Sequence, residues 1–410
     1  MLERILATKR FRIAACVAIV ALLVALSARH LTTASAQAQA MPGANDVPTF
    51  QYDATWPKPL PNNWITGNIG AMVIDAKDHI WVAHRPGSTT SLSERYGLTN
   101  EGECCFPAPP VLEFDMAGNL LQSWGPIHDA KGELLGKQTW GPFPDVQWPN
   151  SEHGIFADDK YVYAGANSAP SQILKFTRDG KFVKRFGKEE SKSSNDTMNF
   201  AGPTQMFVDP KTNELFVADG YRNRRIIVLD AETGAYKRHW GAYGKRPPDG
   251  PQGGNPIEGA YDPTARTRSQ NFATVHCAIM SRDRMIYVCD RVNDRIQVFK
   301  TDGTYVKEGR VGENAKGFGA VHGLGMSPDA NQRFLYVADG ANKKVWIVRR
   351  DDLKVLGSFS SGGRMGGQII IAHTLAVDSK GNVYVGETID NNRVQRFTFM
   401  GFKPMTTTSK

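Results

Sequence analysis

Four of the nine histidines stand at one place in a recurring phrase: His153 in HGIFAD, His276 in HCAIMS, His322 in HGLGMS and His373 in HTLAVD. A further copy, PTQMFVD, has Thr204 there. Imidazoles that converge from separate repeats make a divalent-metal site, because neutral nitrogen donors suit zinc, copper, iron or nickel. Three histidines leave one coordination position open, as in catalytic zinc centres. The competing reading makes each histidine a polar plug at a channel mouth, bonded to a carbonyl or to water. For a lone histidine the plug is the better account; for four at one register the metal is. His79, His84, His128 and His239 lack the register and read as ordinary surface or strand residues, and His30 lies in an N-terminal leader.

A second recurring phrase carries other chemistry. FVADGYRNRRIIVLD (216–230) returns as YVCDRVNDRIQVF, YVADGANKKVWIV and YVGETIDNNRVQRF. Asp219, Asn223 and Arg225, like their copies, suit hydrogen bonds and ion pairs that tie turns together. What repeats belongs to the scaffold, and what departs from the repeat is where chemistry is placed. The residue after the acidic position departs: it is Gly220-Tyr221, then Arg291, Gly340-Ala341 and Thr388-Ile389. Tyr221 offers a phenol and Arg291 an anion-binding guanidinium.

The elements that must position these groups follow from the repeats. The Asn-x-Arg/Lys turn recurs at Asn223, Asn293, Asn342 and Asn391. The first interval is stretched by a Gly- and Pro-rich segment, Gly241 to Gln270, that reads as a surface insert. Each repeat holds short apolar runs separated by Asp-Gly and Asp-x-x-Gly turns, the grammar of four-stranded propeller blades. The expected fold is therefore all-β: a six-bladed β-propeller of NHL-repeat type, with four antiparallel strands per blade. The blades begin near Ala71, His153, Pro203, Val275, Val321 and Ala372. Residues 37–68 are expected to supply the strand that closes the ring. A polar insert over about 86–150 is expected after blade one. Residues 37–410 read as one domain.

Lys9, Arg10 and Arg12 precede an apolar run from Ile13 to Ala28, and Ala34-Ser35-Ala36 follows. That is the layout of a secretory signal peptide over 1–36, giving a periplasmic or secreted protein with no integral membrane segment in its mature form. The chain of 410 residues has formal net charge +8, and losing the leader lowers it to +4. The remaining excess is spread out, which argues against nucleic acid as a partner. A small-molecule or peptide substrate carrying a carboxylate, and a monomer, are the expectations. Cys104, Cys105, Cys277 and Cys289 remain in an export context that permits disulfides. Cys277 and Cys289 fall on successive strands and suit a bridge. Cys104 and Cys105 are adjacent and do not bridge each other easily without strain, and the connectivity of the four stays open at this level.

With these residues in hand, the chain resembles the peptidyl-α-hydroxyglycine α-amidating lyases among the NHL-repeat propellers, from about Gly67 to Phe399. DGYRNRRI and DRVNDRIQVF carry the resemblance most specifically. It implies a lyase that splits a carbinolamide into an amide and glyoxylate. It implies zinc, or another divalent transition metal, on His153, His276 and His373, with Tyr221 handling a proton. Arg85 and Arg291 would grip the substrate carboxylate. A separate enzyme would supply the hydroxylated substrate.

The chain also departs from the family. Thr374 stands where the family has an aspartate that helps hold calcium, so no calcium site carries over. Ile371 replaces a methionine, Arg222 replaces a half-cystine, and His322 has no counterpart. His322 is thus a possible additional ligand, a proton carrier or a plug. Two other readings remain open at this level: a metal-dependent hydrolase on the same propeller, and a non-catalytic binding propeller.

Overall fold

The computed structural model describes residues 46–128, 148–149, 151–249, 269–313, 315 and 317–404. The expected leader, His30 and the middle of the Gly/Pro-rich insert lie outside them. Residues Pro48–Met400 form one compact unit. Among the described residues no helix is long and apolar enough to cross a membrane.

Six four-stranded antiparallel sheets make the propeller. Their innermost strands are Asn68–Ile74, Glu152–Ala157, Pro203–Asp209, Val275–Met280, Gly323–Met326 and Ala372–Val377. Each touches the next around the ring, and the last touches the first. In the sixth blade Asp46–Asp53 is outermost, beside Val394–Pro404, so the earliest described strand completes the latest sheet. Strands are the favoured local structure because β-branched and aromatic residues alternate faces and glycine-bearing turns reverse the chain.

The core is a set of layers between successive sheets rather than one centre. Phe216, Val228 and Trp240 of blade three meet Ala278, Ile286 and Val288 of blade four. Val337 and Val348 of blade five meet Ile296 and Val298 of blade four. The turns join this packing. Gly180 (φ +84°) and Gly303 (φ +93°) lie over Trp124 and Trp240 of the preceding blade, and a Cβ would stand 2.7 and 2.9 Å from those rings. Glycine alone suits both the left-handed backbone and the close approach.

Two expectations, on the insert and on His128, need correction, and the disulfide connectivity is resolved. The stretch 86–150 is not one insert, because it contains the third and fourth strands of blade one, Val111–Phe114 and Leu120–Trp124. Asp115 and Asn119 close the hairpin between them. Cys104 and Cys105 are bonded to each other across a cis peptide. His128 is no surface residue, for it is buried against Glu152. Cys277 and Cys289 are cross-strand partners and are joined.

Candidate functional site

The innermost strands of blades two, four and six slip register at one point. Glu152 pairs with Ala166 but Gly154 with Gly165, leaving His153 as the extra residue. The same slip isolates His276 between Val275 and Cys277, and His373 between Ala372 and Thr374. Such bulges re-aim a side chain. Here they bring three rings together, with centroids 4.7 to 4.9 Å apart. Ligand nitrogens of the three lie within 4.8 Å of one another.

The next blade orients each ring. His153 Nδ1 donates to the Thr204 carbonyl at 3.2 Å, His276 Nδ1 to the His322 carbonyl at 2.5 Å, and His373 Nδ1 to the Ile69 carbonyl at 2.9 Å. A carbonyl only accepts, so each Nδ1 carries the proton and each Nε2 keeps its lone pair. Second-sphere bonds of this kind set the tautomer of metal-binding histidines. Burial keeps all three rings neutral. It holds the pKa of His153 and His276 well below the ordinary value, and neighbouring charges, Arg291 among them, push the same way. His373 falls to about 3, through burial and then through Arg85 and Arg291. Neutral, pre-oriented nitrogens on three sides fit a divalent transition metal.

His322 differs. It lies just before the innermost strand of its blade, which pairs from Gly323, and its backbone N–H donates to the Ala338 carbonyl at 2.9 Å. Its Nδ1 accepts from Gly340 N–H at 3.3 Å, which in a neutral ring puts the proton on Nε2. The ring stands 5.4 Å from that of His276 but is not in the chelating group. What His322 supplies to that group is the backbone carbonyl that orients His276.

The departing turn residues close over the histidines. Tyr221 Oη lies 3.0 Å from His153 Nε2 and 3.4 Å from His276 Nε2. Arg291 Nη1 donates to the same hydroxyl at 3.4 Å. Gly220 lets this turn press on blade four, where a Cβ would meet Val275 at 2.2 Å. Arg85 ends the second strand of blade one and donates Nε to the Glu152 carbonyl at 2.9 Å. Its pKa is lowered by burial, while Tyr221 and Glu152 act the other way. Arg85 Nη2 and Arg291 Nε and Nη2 are buried without partners among the described residues. Donors of this kind mark a place for an anion. The structure thus gathers Arg85, His153, Tyr221, His276, Arg291 and His373 at one end of the channel.

Sequence reasoning missed Glu152. It is fully buried, and its Oε1 accepts from His128 Nε2 at 2.9 Å and Trp148 Nε1 at 2.7 Å. Its place beside His153 was a signal, but its partners come from a connection without a repeat. A second chelating group, Asp75, His79 and Glu113, is already served by Arg178, whose Nη2 lies 2.6 Å from Asp75 and 2.8 Å from Glu113.

The model of a family described as lactonase, seven-bladed β-propeller, matches residues 154–386. The described residues hold six four-stranded sheets, besides one two-stranded parallel pair. Peptidyl-glycine alpha-amidating monooxygenase of Mus musculus is 24% identical over 254 residues, which is 60% of this chain and 23% of that protein. Form B of the Xenopus laevis enzyme is 25% identical over 242 residues, 58% of this chain and 25% of that protein. The chain therefore spans about a quarter of the length of these relatives. Among solved structures, a catalytically inactive virginiamycin B lyase from Staphylococcus aureus with quinupristin is 11% identical, with a TM-score of 0.45, covering 86% of this chain and 88% of that one.

Proposed function

The chain belongs to the lactonase family of β-propellers, and on that premise we propose that it is a metal-dependent carbon–nitrogen lyase acting on a carbinolamide that bears a carboxylate. The observation that carries this reading is the convergence of three neutral imidazoles beneath a tyrosine hydroxyl and beside two arginines with unused N–H groups. The relatives named as amidating enzymes support it, as does the resemblance of the turns to the amidating lyases.

His153, His276 and His373 would hold zinc or another divalent transition metal, which supplies Lewis acidity that lowers the pKa of a nearby hydroxyl. Arg85 and Arg291 take the substrate carboxylate through charge-assisted bonds and so fix the reacting carbon over the histidines. With Tyr221 as the phenolate, its Oη, 3.0 Å from His153 Nε2 and beside Arg291, is placed to accept the proton of the substrate hydroxyl and to return it to the departing amide nitrogen. As that proton leaves, the carbonyl forms and the carbon–nitrogen bond breaks. The amide nitrogen then takes up a proton, giving an amide and glyoxylate. Burial around the site strengthens each of these interactions by excluding water.

The family description favours a second reading, a hydrolase in which water attacks an ester carbonyl at the same centre. One experiment separates the two: incubate the purified protein with an N-acyl-α-hydroxyglycine and with a lactone, and measure glyoxylate and ring-opened acid. The lyase predicts glyoxylate release that falls about 10²- to 10⁴-fold in Tyr221→Phe, with metal content unchanged. Ring opening without glyoxylate would establish the hydrolase. A protein without stoichiometric metal would make the propeller a binding module.

A further inference from the structure

The Tyr221 hydroxyl is held at its far end by one contact of 3.0 Å, to His153, and two of 3.4 Å, to His276 and Arg291. A phenol swings about its own backbone, so the place of Oη depends on how firmly the turn beneath it is fixed. The next residue departs from the repeat. Arg222 stands where the other copies have Val292, Ala341 and Asp390. Val292 is buried, whereas Arg222 reaches back to blade two with every guanidinium nitrogen. Its Nε donates to the Glu190 carboxylate, Nη1 to the Asn167 carbonyl at 2.9 Å and Nη2 to Ser171 Oγ at 2.8 Å. Asn167 and Ser171 lie between Tyr161–Ala166 and Ile173–Thr177, and Glu190 lies on the connection to blade three. A planar fork on three separate acceptors is fixed in orientation as well as in place.

The same acceptors carry the backbone under Tyr221. Ser171 Oγ also accepts from Gly202 N–H at 3.0 Å, and the Gly202 carbonyl accepts from Tyr221 N–H at 3.2 Å. Arg222 N–H donates to the Ala201 carbonyl at 2.9 Å. Gly202 has φ +80°, and a Cβ there would stand 2.7 Å from Tyr221 Cβ, 3.1 Å from the Asn167 oxygen and 3.4 Å from Arg222 Nη1. The tyrosine turn and the Arg222 anchors are therefore in direct contact. The side chains of Arg222 and Glu190 are 34% and 37% exposed, and an ion pair so open to water adds little to stability. Two further acceptors beside the tyrosine turn give this arginine a different use.

We propose that Arg222 is a positioning residue for Tyr221: its bonds to Glu190, Asn167 and Ser171 hold the turn that sets the phenol oxygen over His153 and His276. The catalytic consequence rests on the proton-handling role given to Tyr221 above; the placement itself does not. The test labels the whole zinc-loaded chain with fluorotyrosine and reads fluorine NMR, the Tyr221 line being the one absent from Tyr221→Phe. In Arg222→Met, which keeps the apolar stem and removes the donors, that line should shift or broaden while the other tyrosine lines and the zinc content hold. In the same variant kcat for glyoxylate release should fall at least about tenfold, with KM within about threefold of wild type. Arg222→Lys keeps the charge without the fork and should fall between the two; it replaces the methionine variant if that one does not fold. A Tyr221 line that stays in place, a change spread over the other tyrosine lines or the zinc content, or an unchanged kcat in an active protein overturns the proposal. A displaced Tyr221 line in a protein whose wild type releases no glyoxylate removes the lyase reading and leaves this inference standing. Glyoxylate release with an unmoved line does the reverse.

Discussion

Arg291 and Arg295 belong to the same turn region of blade four and are 3% and 0% exposed, yet their surroundings are opposite. Arg295 uses its whole guanidinium. Nε donates to Asp290 at 2.7 Å, Nη1 to Tyr243 Oη at 2.8 Å and the Ser269 carbonyl at 2.9 Å, and Nη2 to the Asn271 carbonyl at 3.1 Å. Arg291 makes one long contact to Tyr221 and leaves Nε and Nη2 without partners among the described residues. Burying a cation without partners is costly. A fold that saturates one arginine and leaves its neighbour unsaturated is holding the second for something that arrives from outside. The histidines divide in the same way. His84 engages both nitrogens, Nδ1 with Gly67 N–H and Nε2 with the Pro109 carbonyl, whereas His373 commits Nδ1 to Ile69.

This contrast can be broken experimentally. The largest effect is expected from Arg295→Ala, which strands the Asp290 carboxylate in the interior. Chemical denaturation should show a loss of about 3–5 kcal/mol, and a loss below about 1 kcal/mol would deny Arg295 its structural role. Arg291→Ala should behave oppositely. Stability should change by less than about 1 kcal/mol, while carboxylate affinity should weaken by about 2–4 kcal/mol, read by calorimetry with N-acetylglycine. If Arg291→Ala unfolds the protein as readily as Arg295→Ala does, the distinction between the two is lost.

His84 sharpens the comparison from the neutral side. Burial lowers its pKa to about 4 from 6.5, with Glu152 opposing. Between those values the unfolded chain binds more protons than the folded one. The contribution of His84 is thus complete above pH 6.5 and declines as pH falls toward 4. Between pH 7 and pH 5 the loss should be about 2 kcal/mol. Thermal melts of wild type and His84→Gln across that range should differ in slope, and parallel curves would show that the acid sensitivity arises elsewhere.

Much of the scaffold was readable because it repeats. The Asn-x-Arg turns announced themselves in every copy, and the structure uses Asp219, Asn223 and Arg225 as one hydrogen-bonded knot. Blade one was the hardest to read, because its third and fourth strands sit among connections with no repeat to mark them. The histidine register pointed to the chelating group but did not separate His322 from the other three. That separation depends on where each ring is aimed: His153, His276 and His373 sit at bulges of their innermost strands, whereas His322 precedes the first paired residue of its own, Gly323. A bulge arises from pairing between strands, so residue types do not reveal it. Glu152 with His128 and Trp148 was invisible for a related reason, since their contacts join segments that no local pattern links.

The sequence by itself determined the repeat, the apolar alternation and the side chains that can bind metal, protons and anions, because these depend on residue identity and short-range spacing. Tertiary structure alone decided which nitrogens face one another, which tautomer each ring adopts and which arginine is left unsaturated. Those outcomes depend on backbone carbonyls and strand register supplied by neighbouring blades, and they exist only once the ring has closed.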